Sequence, residues 1–209
     1  MKHISKSVEP MAFAQWKIAN PQATYQDLSD RQFPGSIVAK ADLKQALIVE
    51  QGGLCCYCEC CIQSNNSHIE HFKPKGDPLY ADLQLDYSNL FASCGIRPLR
   101  ALDEHCGHKK GCDYTIDLVS PLEADCSSHF TYQLDGTIGY TDARGNITIG
   151  ILHLDSALLN RRRKSLIDYF LALEDDELQE EIASHLDVTR LPFGEFYTMI
   201  EFLFSNGNL

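Results

Sequence analysis

The sequence has no apolar run approaching the roughly 18 to 20 residues that cross a bilayer, which argues against a membrane-spanning helix. Its opening residues, Met-Lys-His-Ile-Ser-Lys-Ser, lack the apolar core of a secretion signal. The expectation is therefore a cytoplasmic protein with no membrane partner. Positive charge is also in deficit. Lys and Arg number 18 against 29 Asp and Glu, a net charge of −11. That balance argues against a chain that grips nucleic acid through bulk electrostatics, because phosphate binding draws on Lys and Arg. Internal repeats and long low-complexity segments are absent as well.

What remains is a chain of 209 residues, 44% hydrophobic and 22% charged, long enough for a domain with a substantial core. Its most uneven feature is cysteine. Eight of nine cysteines lie between Cys55 and Cys112, with four of eight histidines (His68, His71, His105 and His108) in the same window. A disulfide scaffold belongs to small secreted chains. An odd, clustered set without an export signal reads first as metal binding. From His68 to Gly111, six basic residues (Lys73, Lys75, Arg97, Arg100, Lys109, Lys110) balance six acidic ones, so the acidity sits in the flanks. A nucleic-acid substrate fits this window better than it fits the rest.

Local patterns predict an α+β chain. Phe33-Pro34-Gly35 is a turn, and Ser36 is the expected cap of a helix over about Ile37–Gln51. Leu43, Ala46 and Leu47 form its apolar face, and Gly52-Gly53 stops it. Two short strands joined by a Pro/Gly-rich loop are expected over 68–91, and a short helix over 104–111. Further on, Phe130, Tyr132 and Leu134 alternate before Asp135-Gly136 and Ile138, Tyr140 follow, a hairpin signature. Ile147, Ile149 and Ile151 alternate in "NITIGILHL" and predict another strand. Asp155 or Ser156 then caps a helix carrying Leu159, Leu166, Phe170 and Leu173, and a last helix is expected near 193–204. The basic run Arg161-Arg162-Arg163-Lys164 goes right round a helix and is expected to be mainly solvated.

Cys55 and Cys58 enclose a two-residue spacer, which lets two thiolates converge on one tetrahedral ion. Cys58 and Cys61 repeat the spacing, so spacing leaves the register open. A four-ligand site needs a second pair from Cys94, Cys106 and Cys112. Cys94 and Cys106 are favoured because they bracket the basic, histidine-rich loop. Cys56, Cys60 and Cys61 are expected to be small buried hydrophobes.

His68-Ile69-Glu70-His71-Phe72-Lys73-Pro74-Lys75 sets an acid directly before a histidine near a turn. On a strand His68 and Glu70 share one face and His71 takes the other, unless the strand ends there. Phosphodiester hydrolysis needs an activated water and charge relief at phosphorus. A neutral imidazole accepts the proton, and a hard divalent ion held by oxygen and imidazole supplies the relief. Thiolates suit zinc rather than Mg²⁺, so two sites with different ligands are expected. Lys73 and Lys75 are either phosphate contacts or ordinary exposed lysines.

Taken in order, Cys-x-Tyr-Cys-Glu, His-Ile-Glu-His-Phe-x-Pro-Lys, Tyr-x-Asn-Leu and Cys-Gly-x-Lys-Lys-Gly resemble an HNH endonuclease. The pattern is most similar to the HNH component of Septu-type antiviral defence systems, which also accompanies some retrons. The resemblance implies a ββα-metal core with a zinc-stabilised cysteine site, an N-terminal helical segment and a C-terminal hairpin and helices. The corresponding boundaries are 1–53, 54–118 and 119–209. It implies His71 as general base, Asn89 as the residue that orients it, and Glu70 and His108 at a catalytic Mg²⁺ or other divalent ion. His105 competes with His108 for that last position. Structural zinc falls to Cys55, Cys58, Cys94 and Cys106. Nucleic acid, DNA first, is the implied substrate and an ATPase the implied partner. Two rival readings stand beside it: a non-catalytic zinc-stabilised binding module, and a thiol redox protein.

Overall fold

The computed structural model describes residues 1–95 and 103–209. Arg97 and Arg100, counted above among the basic residues, lie outside the described residues. The architecture is α+β. Two helices, α1 (Met11–Ala19) and α2 (Ser36–Glu50), precede the cysteine loop. Strand β1 (Ser67–His71) and strand β2 (Leu90–Cys94) follow, then the short helix α3 (Cys106–Lys110). The C-terminal half holds β3 (Phe130–Tyr132), β4 (Ile138–Tyr140) and helices α4 (Ala143–Leu152), α5 (Ala157–Leu171), α6 (Asp175–His185) and α7 (Tyr197–Ser205).

β1 and β2 pair antiparallel, with His68 opposite Ser93, Glu70 opposite Phe91 and His71 opposite Leu90. All five residues of β2 are buried. A strand covered on both faces reads as continuous apolar sequence rather than as alternation, and Leu90-Phe91-Ala92 fits. α2 covers one part of it. At the end of that helix the buried Gln51 side chain donates to the Ala92 carbonyl at 2.8 Å and accepts from its N–H at 2.7 Å, tying helix to strand. One apolar cluster runs from Phe13 and Trp16 on α1 through Leu43 and Leu47 on α2, past the cysteines, to Ile200 and Leu203 on α7. Each fully buried Leu or Phe in it contributes roughly 1.5–3 kcal/mol relative to exposure.

The hairpin, the Ser156-capped helix and the helix after Pro34 form as expected. In the hairpin, Gly136 has a φ of 84°, which the turn between β3 and β4 requires. Four expectations are corrected. "NITIGILHL" is helical, because Asp142 caps α4 by accepting from Gly145 N–H at 2.9 Å and the buried residues Gly145, Thr148, Ile149 and Leu152 fall at helical spacing. The cap of α2 is Gly35 at φ 80°, and Ser36 instead donates from its hydroxyl to the Asp30 carbonyl. The last helix starts at Tyr197, with Phe193 outside it. Arg163, within the basic run, is only 2% exposed and donates to the Leu154 carbonyl at 2.8 Å. No described helix is long and apolar enough to cross a membrane.

Candidate active site and metal centre

The cysteine loop leaves α2 at Gly52-Gly53 and turns back on itself. Cys55 N–H donates to the Cys60 carbonyl, and Ile62 N–H to that of Gly53. Glu59, just past Cys58, takes a φ of 62°, a left-handed conformation that L side chains resist. Its buried carboxylate holds the turn there: it accepts from Thr198 N–H at 2.7 Å, from the Thr198 hydroxyl at 2.5 Å, and pairs with the Met1 ammonium at 2.7 Å.

This loop presents Cys55 and Cys58 to Cys94 at the end of β2 and to Cys106 at the start of α3. The four sulfur atoms lie within 4.8 Å of one another and all four residues are buried. Sulfurs on a zinc tetrahedron with bonds of about 2.3 Å sit roughly 3.8 Å apart, so this donor set has the right type and scale for zinc. Cys94 N–H donates to Cys55 Sγ at 3.3 Å, the backbone support a thiolate needs. Burial opposes the charged form throughout the group. At Cys55 and Cys58, hydrogen bonds from Cys106 and neighbouring thiols outweigh burial and pull both well below the usual thiol range. Cys61 stays outside, half-buried beside Glu195 and Phe193. Cys112 is exposed, and no cysteine is in a disulfide. A second donor group, Glu123, Asp125 and His129, also converges, but both Glu123 oxygens already accept from Arg144 at 2.7 Å.

The predicted histidines separate. His105 faces the sulfur cluster, its Nε2 3.4 Å from Cys94 Sγ and its Nδ1 2.7 Å from the Asp103 carbonyl. Burial works against its charged form, yet contact with Cys58 raises its pKa. His108, on α3, lies ring to ring with His68 at 4.4 Å. His68, Glu70, His71 and His108 all line one cleft of about 270 Å³, together with Lys75 and Gly107. His71 joins the others despite strand alternation because it ends β1.

Glu70 is 7% exposed and ionised in character. Burial opposes the charge, but hydrogen bonds from His68 and then the charge and hydrogen bond of Lys110 hold its pKa low. Its Oε1 takes Lys110 Nζ at 3.0 Å and the Tyr57 hydroxyl at 3.3 Å, while Oε2 sits 3.6 Å from His68 Nε2. Lys110 also donates to the His71 carbonyl at 2.8 Å. Gly107 opens this arrangement: a Cβ there would stand 2.5 Å from Glu70 Oε2 and 2.6 Å from His68 Nε2.

His71 Nε2 lies 3.0 Å from the Gln84 carbonyl. A carbonyl only accepts, so Nε2 carries the hydrogen and Nδ1 holds the lone pair. Burial pushes the imidazole pKa down to about 4, with the Gln84 contact working the other way, so the ring is neutral near pH 7. Asn89 is 5% exposed and works on the neighbouring loop. Its Oδ1 accepts from Lys73 N–H at 2.8 Å, and its Nδ2 donates to the carbonyls of Lys73 and Leu83 at 3.0 and 3.1 Å. It thus fixes the chain two residues beyond His71. Sequence reasoning missed Gln84 and Tyr25, the latter edge-on to His71 at 4.4 Å between ring centres.

No protein-family model matches the chain. It is 32% identical to a candidate HNH endonuclease of retron Vc95 from Vibrio cholerae over 160 residues, 73% of this chain and 75% of that protein. It is 35% identical to a candidate HNH endonuclease of retron Ec83 from Escherichia coli over 210 residues, covering 81% of this chain and 80% of that one. The Septu protein PtuB of Bacillus thuringiensis is 30% identical over 127 residues, 57% of this chain and 44% of its own length. With motifs and site geometry in agreement, that similarity means the chain belongs to the HNH endonuclease family of retron and Septu defence systems.

Proposed function

We propose that this protein is a metal-dependent endonuclease that hydrolyses phosphodiester bonds of nucleic acid, DNA first, as the effector of a bacterial anti-phage defence system. The observation that carries the reading is one cleft lined by Glu70, His71 and His108 beside a buried cluster of four cysteines. In this reading β1, β2 and α3 are the ββα-metal core within 54–118, the helices of 1–53 support it, and 119–209 packs on it. Cys55, Cys58, Cys94 and Cys106 hold zinc, which pins α3 to the strand pair. Glu70 and His108 offer oxygen and nitrogen to a second divalent ion, a set that suits Mn²⁺ as well as Mg²⁺. That ion, when bound, relieves negative charge developing on the phosphate.

The protein's own groups do the rest. His71 Nδ1 accepts the proton of the attacking water while the Gln84 carbonyl keeps Nε2–H in place. Asn89 is a positioning residue that holds the loop leaving His71. Lys110 neutralises Glu70 from the side of the core. The names of the relatives support a defence role, with a partner ATPase controlling the nuclease in the cytoplasm.

The experiment is His71→Ala. Divalent-dependent cleavage should fall by about 100- to 10,000-fold while zinc content and fold persist. The rival reading, a non-catalytic zinc-stabilised module, draws on the commitment of Glu70 Oε1 to Lys110 and Tyr57. It predicts no cleavage for the wild type, and cleavage that ignores the substitution would remove His71 from the chemistry.

A further inference from the structure

Beside the cleft lies a group of cations the catalytic reading does not use. The Tyr25 ring, edge-on to His71, has Lys40 Nζ 5.5 Å and Lys75 Nζ 5.2 Å from its centre. These residues come from the loop after α1, from α2 and from the loop after β1, so only the fold assembles them. Lys44 is one helical turn beyond Lys40, its ammonium on the Ser64 and Ser67 carbonyls. Lys40 Nζ donates to the Ser29 hydroxyl.

Among the described residues, no carboxylate lies within 4 Å of Lys40, Lys44 or Lys75. In a chain with 29 acidic residues against 18 Lys and Arg, that is a notable exclusion. The lysines also feel one another. Burial lowers the pKa of Lys40 and Lys44, and the positive charge of Lys75 and of Lys40, respectively, adds to it. Like charges gathered without counterions favour an anion between them. The aromatic ring stabilises each ammonium by about 0.5–1 kcal/mol at exposed sites, which fixes their positions without cancelling their charge.

We propose that Lys40 and Lys75, set around Tyr25, seat a backbone phosphate of the nucleic acid next to the scissile linkage, with Lys44 continuing the track along α2. The proposal rests on the nuclease reading of the cleft. Lys75 lines that cleft directly, so a strand held here passes His71. Tyr25 is itself braced to the catalytic loop: its N–H donates to Gln84 Oε1 at 3.1 Å, and the Gln84 carbonyl holds His71. The track is short, as expected for a subunit whose total charge repels nucleic acid.

The test uses full-length His71→Ala protein and labelled 15-nucleotide DNA, the matching RNA and duplex DNA, with binding followed by anisotropy across a salt series. Lys40→Ala/Lys75→Ala should reduce the slope of log K against log salt by roughly 1.5 for two lost phosphate contacts. Lys40→Arg/Lys75→Arg should restore it, and Arg161→Ala on α5 should leave it unchanged. Circular dichroism confirms folding of each variant. Which probe shows the largest slope change identifies the preferred strand. Binding with an unaltered slope in the double alanine variant overturns the phosphate track and leaves the nuclease reading standing. A protein that neither binds nor, with His71 intact, cuts any probe overturns both.

Discussion

At the scale of residues, the site depends on side chains whose protonation is set by what surrounds them. Glu70 keeps its charge because His68 and the buried Lys110 answer it, and His71 stays neutral because burial outweighs the Gln84 hydrogen bond. Gly107 is the most exposed test of this arrangement. Gly107→Ala would drive a methyl into Glu70 and His68, so both must shift. Cleavage should drop by about 100-fold, the size of effect that misplacing groups by about 1 Å produces, while the melting temperature changes little. An active Gly107→Ala enzyme would detach Glu70 from catalysis. Glu70, His71 and His108 were legible in the sequence because their side chains carry the chemistry. Gln84 was not, because it serves through a carbonyl that every residue possesses.

At the scale of elements, the site is held by clamps between pieces of chain. Glu59 ties the cysteine loop to α7 through Thr198. Glu59→Ala leaves a buried ammonium and a buried N–H without their acceptor and should cost about 3–5 kcal/mol in urea unfolding. A loss below about 1 kcal/mol would mean the left-handed turn holds itself. Asn89→Ala removes three hydrogen bonds to Lys73 and Leu83. It should cost about 1–3 kcal/mol and lower the cleavage rate at unchanged zinc content, whereas a full-speed variant would show that loop position does not matter to His71. Elements were legible where capping and period agreed, as in α2, α5 and the hairpin. "NITIGILHL" failed because three isoleucines at alternate positions also fit a helix about one turn long. The Asp142 cap and the buried Thr148 decided between them.

At the scale of the whole molecule, metal and pH act on stability. The four-cysteine cluster joins the loop after α2, the end of β2 and the start of α3, so zinc affinity is folding free energy. Elemental analysis should find one zinc per chain, lost in Cys58→Ser along with much of the resistance to urea. Full stability without zinc would reassign the cluster. Acid should also weaken the fold. His71 takes its proton at about 4 in the native state against an ordinary 6.5, so between those values only the unfolded chain is protonated. Stability is whole above pH 6.5 and falls as pH drops toward 4. Glu123, held low first by its hydrogen bonds from Arg144, adds to the loss below its ordinary 4.5. The urea midpoint of chelator-treated protein should decline from pH 7 to pH 5, and His71→Asn should flatten that decline. An equal decline in the variant would point to other groups.

Taken alone, the sequence determined the inventory: thiols for a soft ion, a carboxylate and imidazoles for a hard one, and the spacing that brings Cys55 and Cys58 together. Those follow from residue type and short-range geometry, which a sequence displays directly. The tertiary structure decided which histidine serves which site. His105 and His108 are three residues apart, yet the turn into α3 sends one to sulfur and the other to Glu70 and His68. It also decided that Tyr25, Lys40 and Lys75 share one place, because long-range contact comes from packing, and packing of distant segments leaves no local mark in the chain.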